Sequence, residues 1–275
     1  MVNHIRRLYK TKKVGHTGTL DPMATGVLIL CLGKYTRLSQ FVTASDKKYR
    51  AEITLGVETD TQDREGQVIA QSGNVPSRLD DFTDVVSTFL GKIEQVPPMH
   101  SAVRVGGKRL YELARKGEVV ERPSRKVEIF GLDIIQYQSP VLTLDVWCSK
   151  GTYIRTLAAD LGQRLGCGSH LSQLQRLAVG QIELSDCHTL DALAKVFPME
   201  SFLNANQVLD LPPQILSTLQ IQRFVNGNAL TDIDTESKNF EQAFCVFDSD
   251  DHLIGIGRWH TDGFRPECVI AQRES

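Results

Sequence analysis

The sequence predicts an α+β protein with a small β-rich segment at its C-terminal end. Three observations carry this. Helical and alternating apolar spacings are interleaved irregularly, without repeating βαβ units. Beyond Leu209-Asp-Leu-Pro-Pro the composition shifts to short strand-like runs between Asp/Gly turns. The sign of the charge changes at the same place. Residues 1–206 carry 26 Lys+Arg against 22 Asp+Glu, whereas residues 207–275 carry 5 against 11. We therefore expect one domain over 1–206 and a second over 207–275.

Residues 3–12 set Ile5, Leu8 and Tyr9 among Arg6, Arg7, Lys10 and Lys12, the spacing of a short basic amphipathic helix. Gly26 to Leu32 reads as a buried strand, and Tyr49 to Val57 as a strand with partial alternation. Ser77 is placed to cap a helix that lines up Leu79, Phe82, Val86 and Phe89 and closes at Gly91. In Val141 to Ser149, Leu142, Leu144, Val146 and Cys148 face one way. After Lys150-Gly151, the residues Ile154, Leu157, Leu161 and Leu165 mark a helix ended by Gly166. Lys108 to Lys116 suits a short helix with Leu110, Leu113 and Ala114 inward. Ala243 to Phe247, Leu253 to Ile256 and Glu267 to Ala271 are the strand-like runs of the second domain.

An apolar fraction of 41% and a charged fraction of 23% are ordinary for a soluble protein. No apolar run approaches membrane-spanning length. The basic N-terminus lacks the apolar core of a secretory signal. The six cysteines are scattered without a C-x-x-C pair, which favours buried, reduced thiols in a cytoplasmic protein. Gly106-Gly107-Lys108-Arg109 lacks the upstream glycine and the Ser/Thr of a P-loop, and Gly255-Ile-Gly257 lacks the third glycine of a dinucleotide fingerprint. Glu58 to Glu65 resembles a calcium loop in composition only. Without H-E-x-x-H, and with dispersed histidines, metal catalysis is not expected.

Val14-Gly-His-Thr-Gly-Thr-Leu-Asp-Pro-Met-Ala-Thr-Gly-Val-Leu is the most informative stretch. Gly15 and Gly18 permit tight turns, and Pro22 biases Asp21 toward extended backbone. Placed just ahead of a buried strand, Asp21 is a carboxylate on a loop pinned to a rigid element. Taken alone, it is equally an ordinary Asp-Pro turn residue. A second feature is charge. From Arg104 to Lys126 eight basic residues face three acidic ones, and the first thirteen residues add five Lys/Arg and no acid. Clusters of this kind suit phosphate contacts.

Gly15-His-Thr-Gly-Thr-Leu-Asp-Pro-Met-Ala-Thr-Gly resembles the catalytic motif of the bacterial TruB family, the tRNA pseudouridine-55 synthases. The likeness continues in order. Lys48-Tyr49-Arg50, Leu55-Gly and Thr59-Asp-Thr61-x-Asp63-x-x-Gly66 resemble a second motif. Val96-Pro-Pro-Met-His-Ser-Ala-Val-Arg through Ala114-Arg-Lys-Gly resembles an RNA-gripping insertion at about 95–122. Cys148-Ser-Lys-Gly-Thr-Tyr-Ile-Arg resembles a third motif, followed by Leu174-x-Arg-Leu-x-Val-Gly. It is dense from residue 5 to about 182. Weaker likeness at Phe224-Val-Asn-Gly-Asn and Leu253-Ile-Gly-Ile-Gly points to a PUA-type RNA-binding domain. Against the usual family architecture the chain starts inside the first helix, which omits roughly two dozen residues and their Lys-Pro-x-Gly strand.

The resemblance implies a pseudouridine-synthase fold, with a mixed, largely antiparallel sheet and flanking helices. The implied activity is isomerisation of uridine-55 in the T-loop of tRNA, in the cytoplasm, by a monomer with no cofactor, no membrane and no obligatory protein partner. Asp21 matches the nucleophile, and Arg155 the arginine that pairs with it. Tyr49 matches the tyrosine that stacks on the base and is the candidate for proton abstraction. His16 matches the histidine that fills the space left by a flipped base. Tyr153 and Leu174 match pocket residues, and Lys108, Arg109, Arg115 and Lys116 the phosphate contacts of the insertion. Whether Asp21 attacks the sugar C1′, the base C6 or assists glycal formation stays open. A non-catalytic tRNA-binding protein would use the same basic cluster but would not need a paired carboxylate facing an anionic ligand. An Asp-based hydrolase of small molecules would not need the basic insertion.

Overall fold

A computed structural model describes residues 1–78, 80–101, 103–195, 202–233 and 239–271. The chain forms two units that do not follow a single cut in the sequence. One comprises Leu20–Val27 and Ser45–Val179, the other Met1–Thr19, Leu28–Ala44 and Gly180–Ser275.

The first unit is built on a sheet whose strands are β1 (Thr25–Gly26), β2 (Lys47–Leu55), β5 (Gly91–Gln95), β8 (Arg125–Gln138), β9 (Val141–Cys148) and β10 (Ser169–Val179). Its spatial order is β1-β10-β2-β9-β8-β5, with β1 parallel to β10 and the other neighbours antiparallel. Two hairpins lie outside it: β3 (Val57–Thr59) with β4 (Val68–Gln71), and β6 (Arg104–Val105) with β7 (Lys108–Arg109). The helices are α1 (Asp80–Ser87), α2 (Leu110–Ala114) and α3 (Ile154–Arg164).

Period-2 burial explains which face of the sheet is covered. Ala51, Ile53 and Leu55 of β2 join Leu142, Leu144, Val146 and Cys148 of β9 in one core. Ile154, Leu157, Ala158 and Leu161 bring α3 onto that core at helical spacing, and Phe82, Val86 and Phe89 add α1 and the turn after it. Gly166 has φ +73°, the left-handed conformation that stops a helix. Gly91 departs from expectation. It opens β5 with φ +83° and does not close α1, which ends at Ser87 before a short turn. Leu79 lies outside the described residues.

The expected single strand from Gly26 to Leu32 is divided. Thr25–Gly26 pairs with Gln175–Arg176, whereas Leu30–Leu32 belongs to the second unit and pairs with Val14–His16. The break follows from Gly26, whose φ is +101°. A β-carbon there would stand 2.2 Å from the Arg176 carbonyl oxygen. The chain thus touches β10 and must turn away at once.

In the second unit, Val2–Leu8 is the basic N-terminal helix, with Ile5 buried. Pro213–Ile215, Ala243–Phe247, Leu253–His260 and Gly263–Val269 form a four-stranded sheet in that order. Phe224 of the helix Thr218–Val225, together with Val246, Trp259 and Phe264, fills its core. Five of the six cysteines are buried free thiols; Cys187 is exposed, contrary to expectation, because it follows a short exposed turn. No helix among the described residues is long and apolar enough to cross a membrane.

Gly26→Ala would combine a strained φ with a backbone clash. It should cost about 2 kcal/mol in unfolding free energy, measured by urea denaturation. A change below about 0.5 kcal/mol would mean that the β1–β10 contact is soft.

Candidate active site

Asp21 heads a β-turn in which its carbonyl accepts the Ala24 N–H at 2.9 Å, with Pro22 at the second position. The turn is fastened to β10 twice. Val27 N–H donates to the Arg176 carbonyl at 2.9 Å, and the Arg176 Nε–H donates to the Val27 carbonyl at 2.7 Å. The carboxylate is left at the rim, with its side chain 29% exposed.

Arg155 sits in the first turn of α3, with its side chain 6% exposed. Its Nε lies 3.1 Å from Asp21 Oδ2, a close ionic contact without the alignment of a hydrogen bond. Its Nη1 donates to Asp63 Oδ2 at 3.2 Å and to the Thr61 carbonyl at 3.4 Å. Its Nη2 donates to the His100 carbonyl at 2.9 Å. One guanidinium therefore joins three loops and two carboxylates.

Asp63 is the member whose role the motif did not disclose. It lies in the acidic loop after β3, and the loop is knotted by short bonds. Thr59 Oγ1 donates to the Asp63 carbonyl at 2.7 Å, Thr61 Oγ1 to Asp63 Oδ1 at 2.7 Å, and Glu65 N–H to the same oxygen at 3.0 Å. Oδ2 is thereby left for Arg155. Gln62 adopts φ +65°, and its side chain accepts the Thr156 hydroxyl at 3.0 Å. A β-carbon on Gly66 would collide with Thr61 Oγ1 at 2.3 Å. The calcium-loop composition is thus a carboxylate-aiming loop. Its only sequence signal was the Thr-x-Thr-x-Asp-x-x-Gly spacing.

Asp21 is pushed above its ordinary value of 3.8 chiefly by burial; Arg155 opposes the shift and the Asp63 charge adds to it. Tyr49 projects from β2 at the position paired with Arg176 on β10, whose side chain hydrogen-bonds its phenol. Burial raises the phenol above 10, the Arg176 charge opposes this, and the charge of Asp21 is among the groups it feels. Arg176 was not singled out, because an arginine on a strand carries no sign of its partner. Behind this pair, burial lowers Lys47 to about 8, with help from the Arg176 charge.

Tyr153 is half-buried and is the N-cap of α3. Leu174 lies in the core, 7% exposed. Lys108, Arg109, Arg115 and Lys116 are exposed around α2, where the Arg109 and Arg115 guanidinium groups stand 5.8 and 5.5 Å from the Tyr111 ring centroid. His16 is exposed at the end of Val14–His16 in the second unit. Asp21, Tyr49, Tyr153, Arg155 and Leu174 belong to the first.

The fold is that of a pseudouridine synthase. A chain in the solved structure described as a Cbf5–Nop10–Gar1 complex superposes with a TM-score of 0.74, covering 99% of this chain and 80% of that one at 24% identity. The chain belongs to the TruB family. Residues 6–154 match the model for the N-terminal domain of TruB family pseudouridylate synthases, and residues 155–211 match the tRNA pseudouridylate synthase B C-terminal domain. Relatives named tRNA pseudouridine synthase B include one from Symbiobacterium thermophilum, 52% identical over 83% of this chain and 77% of the relative. Another, from Cupriavidus pinatubonensis, is 41% identical over 96% of this chain and 87% of the relative.

Because the folded-state value of Asp21 lies above its unfolded one, its contribution to stability is present at low pH and is lost as pH rises through the raised value. Asp21→Asn should therefore raise the thermal midpoint at pH 7, and the gain should vanish near pH 3. A lower midpoint at pH 7 would mean that attraction to Arg155 outweighs desolvation.

Proposed function

We propose that this protein isomerises uridine-55 in the T-loop of tRNA to pseudouridine, acting alone in the cytoplasm without a cofactor. The reading is supported above all by the Asp21–Arg155–Asp63 arrangement, a rim carboxylate held against a buried guanidinium within a family-matched loop.

The C1′–N1 bond of the uridine breaks, the base turns, and C1′ rejoins through C5, which then gives up its proton while the freed N1 gains one. Atoms are conserved, so neither electrons nor a co-reactant are needed. Asp21 captures or stabilises the species released, and its ionised form does so. Arg155 keeps that carboxylate charged and aimed in a site where burial alone would protonate it. Tyr49 stacks on the base, and its ionised form accepts the C5 proton; the Arg176 charge lowers the cost of that phenolate against burial. Tyr153 and Leu174 support the pocket wall. His16 occupies the space vacated when the uridine leaves the folded arm.

Affinity comes from phosphate contacts. Lys108, Arg109, Arg115 and Lys116 supply them from the insertion. Lys12, Lys13, Lys34 and Arg37 line a cleft of about 590 Å³ in the second unit and add more. We assign catalysis to residues 1–206 and a supporting PUA-type role to 207–275.

Tritium release from tRNA labelled at uridine C5 tests the reading. Wild type should release tritium, whereas Asp21→Asn should bind the transcript and release none. Release by Asp21→Asn would remove Asp21 from the nucleophile's role. Absence of release by wild type, with tRNA bound, would leave a binding protein only.

A further inference from the structure

Between β5 and α2 the chain crosses from the sheet to the basic insertion over Gln95 to His100. Each end of this strap is tied to the start of the catalytic helix. Gln95 is 2% exposed, and its side-chain amide meets the Tyr153 backbone at two points. Tyr153 N–H donates to Gln95 Oε1 at 3.0 Å, and Gln95 Nε2 donates to the Tyr153 carbonyl at 3.3 Å. Five residues on, the His100 carbonyl accepts Arg155 Nη2 at 2.9 Å. Buried Pro97 and Pro98 lie between the anchors and fix two φ angles, so the strap is stiff.

Its far end continues into the insertion. Ser101 accepts the Tyr111 N–H at 3.1 Å and Val103 accepts the Leu110 N–H at 2.8 Å. Those bonds hold α2, whose Tyr111 carries Arg109 and Arg115. The Tyr111 N–H to Ser101 bond, the Ser101–His100 peptide and the His100 carbonyl thus connect the basic helix to Arg155.

We propose that Gln95 is a positioning residue. By clamping Tyr153 it holds the N-terminal turn of α3 against the root of the insertion and so sets Arg155 against Asp21. The inference rests on the synthase reading for its effect on turnover, but not for its effect on the carboxylate. The start of α3 lacks a side-chain cap on Tyr153; its carbonyl already accepts the Leu157 N–H at 3.0 Å, and the Gln95 amide supplies the acceptor for the Tyr153 N–H and a second donor to that carbonyl. A leucine would fill the space, leave the Tyr153 N–H without its acceptor and leave the Tyr153 carbonyl with the Leu157 N–H alone. Arg155 would then lose registry with Asp21, while Asp63, whose charge also acts on Asp21, keeps its own loop anchors.

The test compares wild type, Gln95→Leu and Gln95→Glu. Gln95→Glu retains an acceptor for Tyr153 N–H but no donor for its carbonyl. Two readouts are taken: carboxyl titration of Asp21 by carbon-13 NMR without RNA, and single-turnover rate with tRNA affinity. The expected result is an upward shift of the Asp21 titration in Gln95→Leu, because the Arg155 charge that opposes protonation has moved away. The rate should fall at least about tenfold with tRNA affinity unchanged, about 1.4 kcal/mol of lost transition-state stabilisation, and Gln95→Glu should recover part of both. An unshifted titration in a folded Gln95→Leu overturns the proposal. So does a loss confined to tRNA affinity. Should Gln95→Leu fail to fold, Gln95→Glu decides by the same titration. Failure of wild type to turn over tRNA would remove the synthase reading and leave the titration to judge Gln95.

Discussion

The arrangement of the catalytic unit depends on where one buried cation is satisfied. Arg155 has almost no access to water, and its three nitrogens reach Asp21, Asp63 and the carbonyls of Thr61 and His100. A buried charge left with no counter-charge at all costs about 3–5 kcal/mol. The loop before β1, the acidic loop after β3 and the strap before the insertion are thus all drawn to the first turn of α3. The knot of threonine bonds around Asp63, the positive φ of Gln62 and the absent β-carbon of Gly66 are the local conformations this convergence requires.

The same arrangement explains why Asp21 is a strained partner. Two carboxylates share one guanidinium, and burial and the neighbouring charge raise the rim carboxylate, Asp21. Stability would be better served by a neutral side chain at this position. A nucleophile requires the ionised one, and Arg155 narrows the difference. Active sites commonly hold such a conflict between stability and activity.

Much of this was legible in the residues. Alternation marked Leu142, Leu144, Val146 and Cys148 as one face of a strand, and helical spacing marked Ile154, Leu157 and Leu161, because burial follows backbone periodicity. Asp21 was visible as a pinned carboxylate, and it is also the Asp-Pro turn residue that the bland reading allowed. Contacts across long separations were not legible. Nothing local in Asp63, Gln95 or Arg176 announces a partner 92, 58 or 149 residues away. Gly26 to Leu32 misled because apolar periodicity reports burial and not a change of partner, and only the φ of Gly26 separates the two strands.

The most direct measurement is the single-turnover rate of Arg155→Lys beside its tRNA affinity. Lysine keeps the charge but cannot reach Asp21, Asp63 and the His100 carbonyl together. The rate should fall by at least about a hundredfold, about 2.7 kcal/mol, with affinity within a few-fold of wild type. A rate close to wild type would contradict this, because a point charge alone would then suffice to hold Asp21 ready.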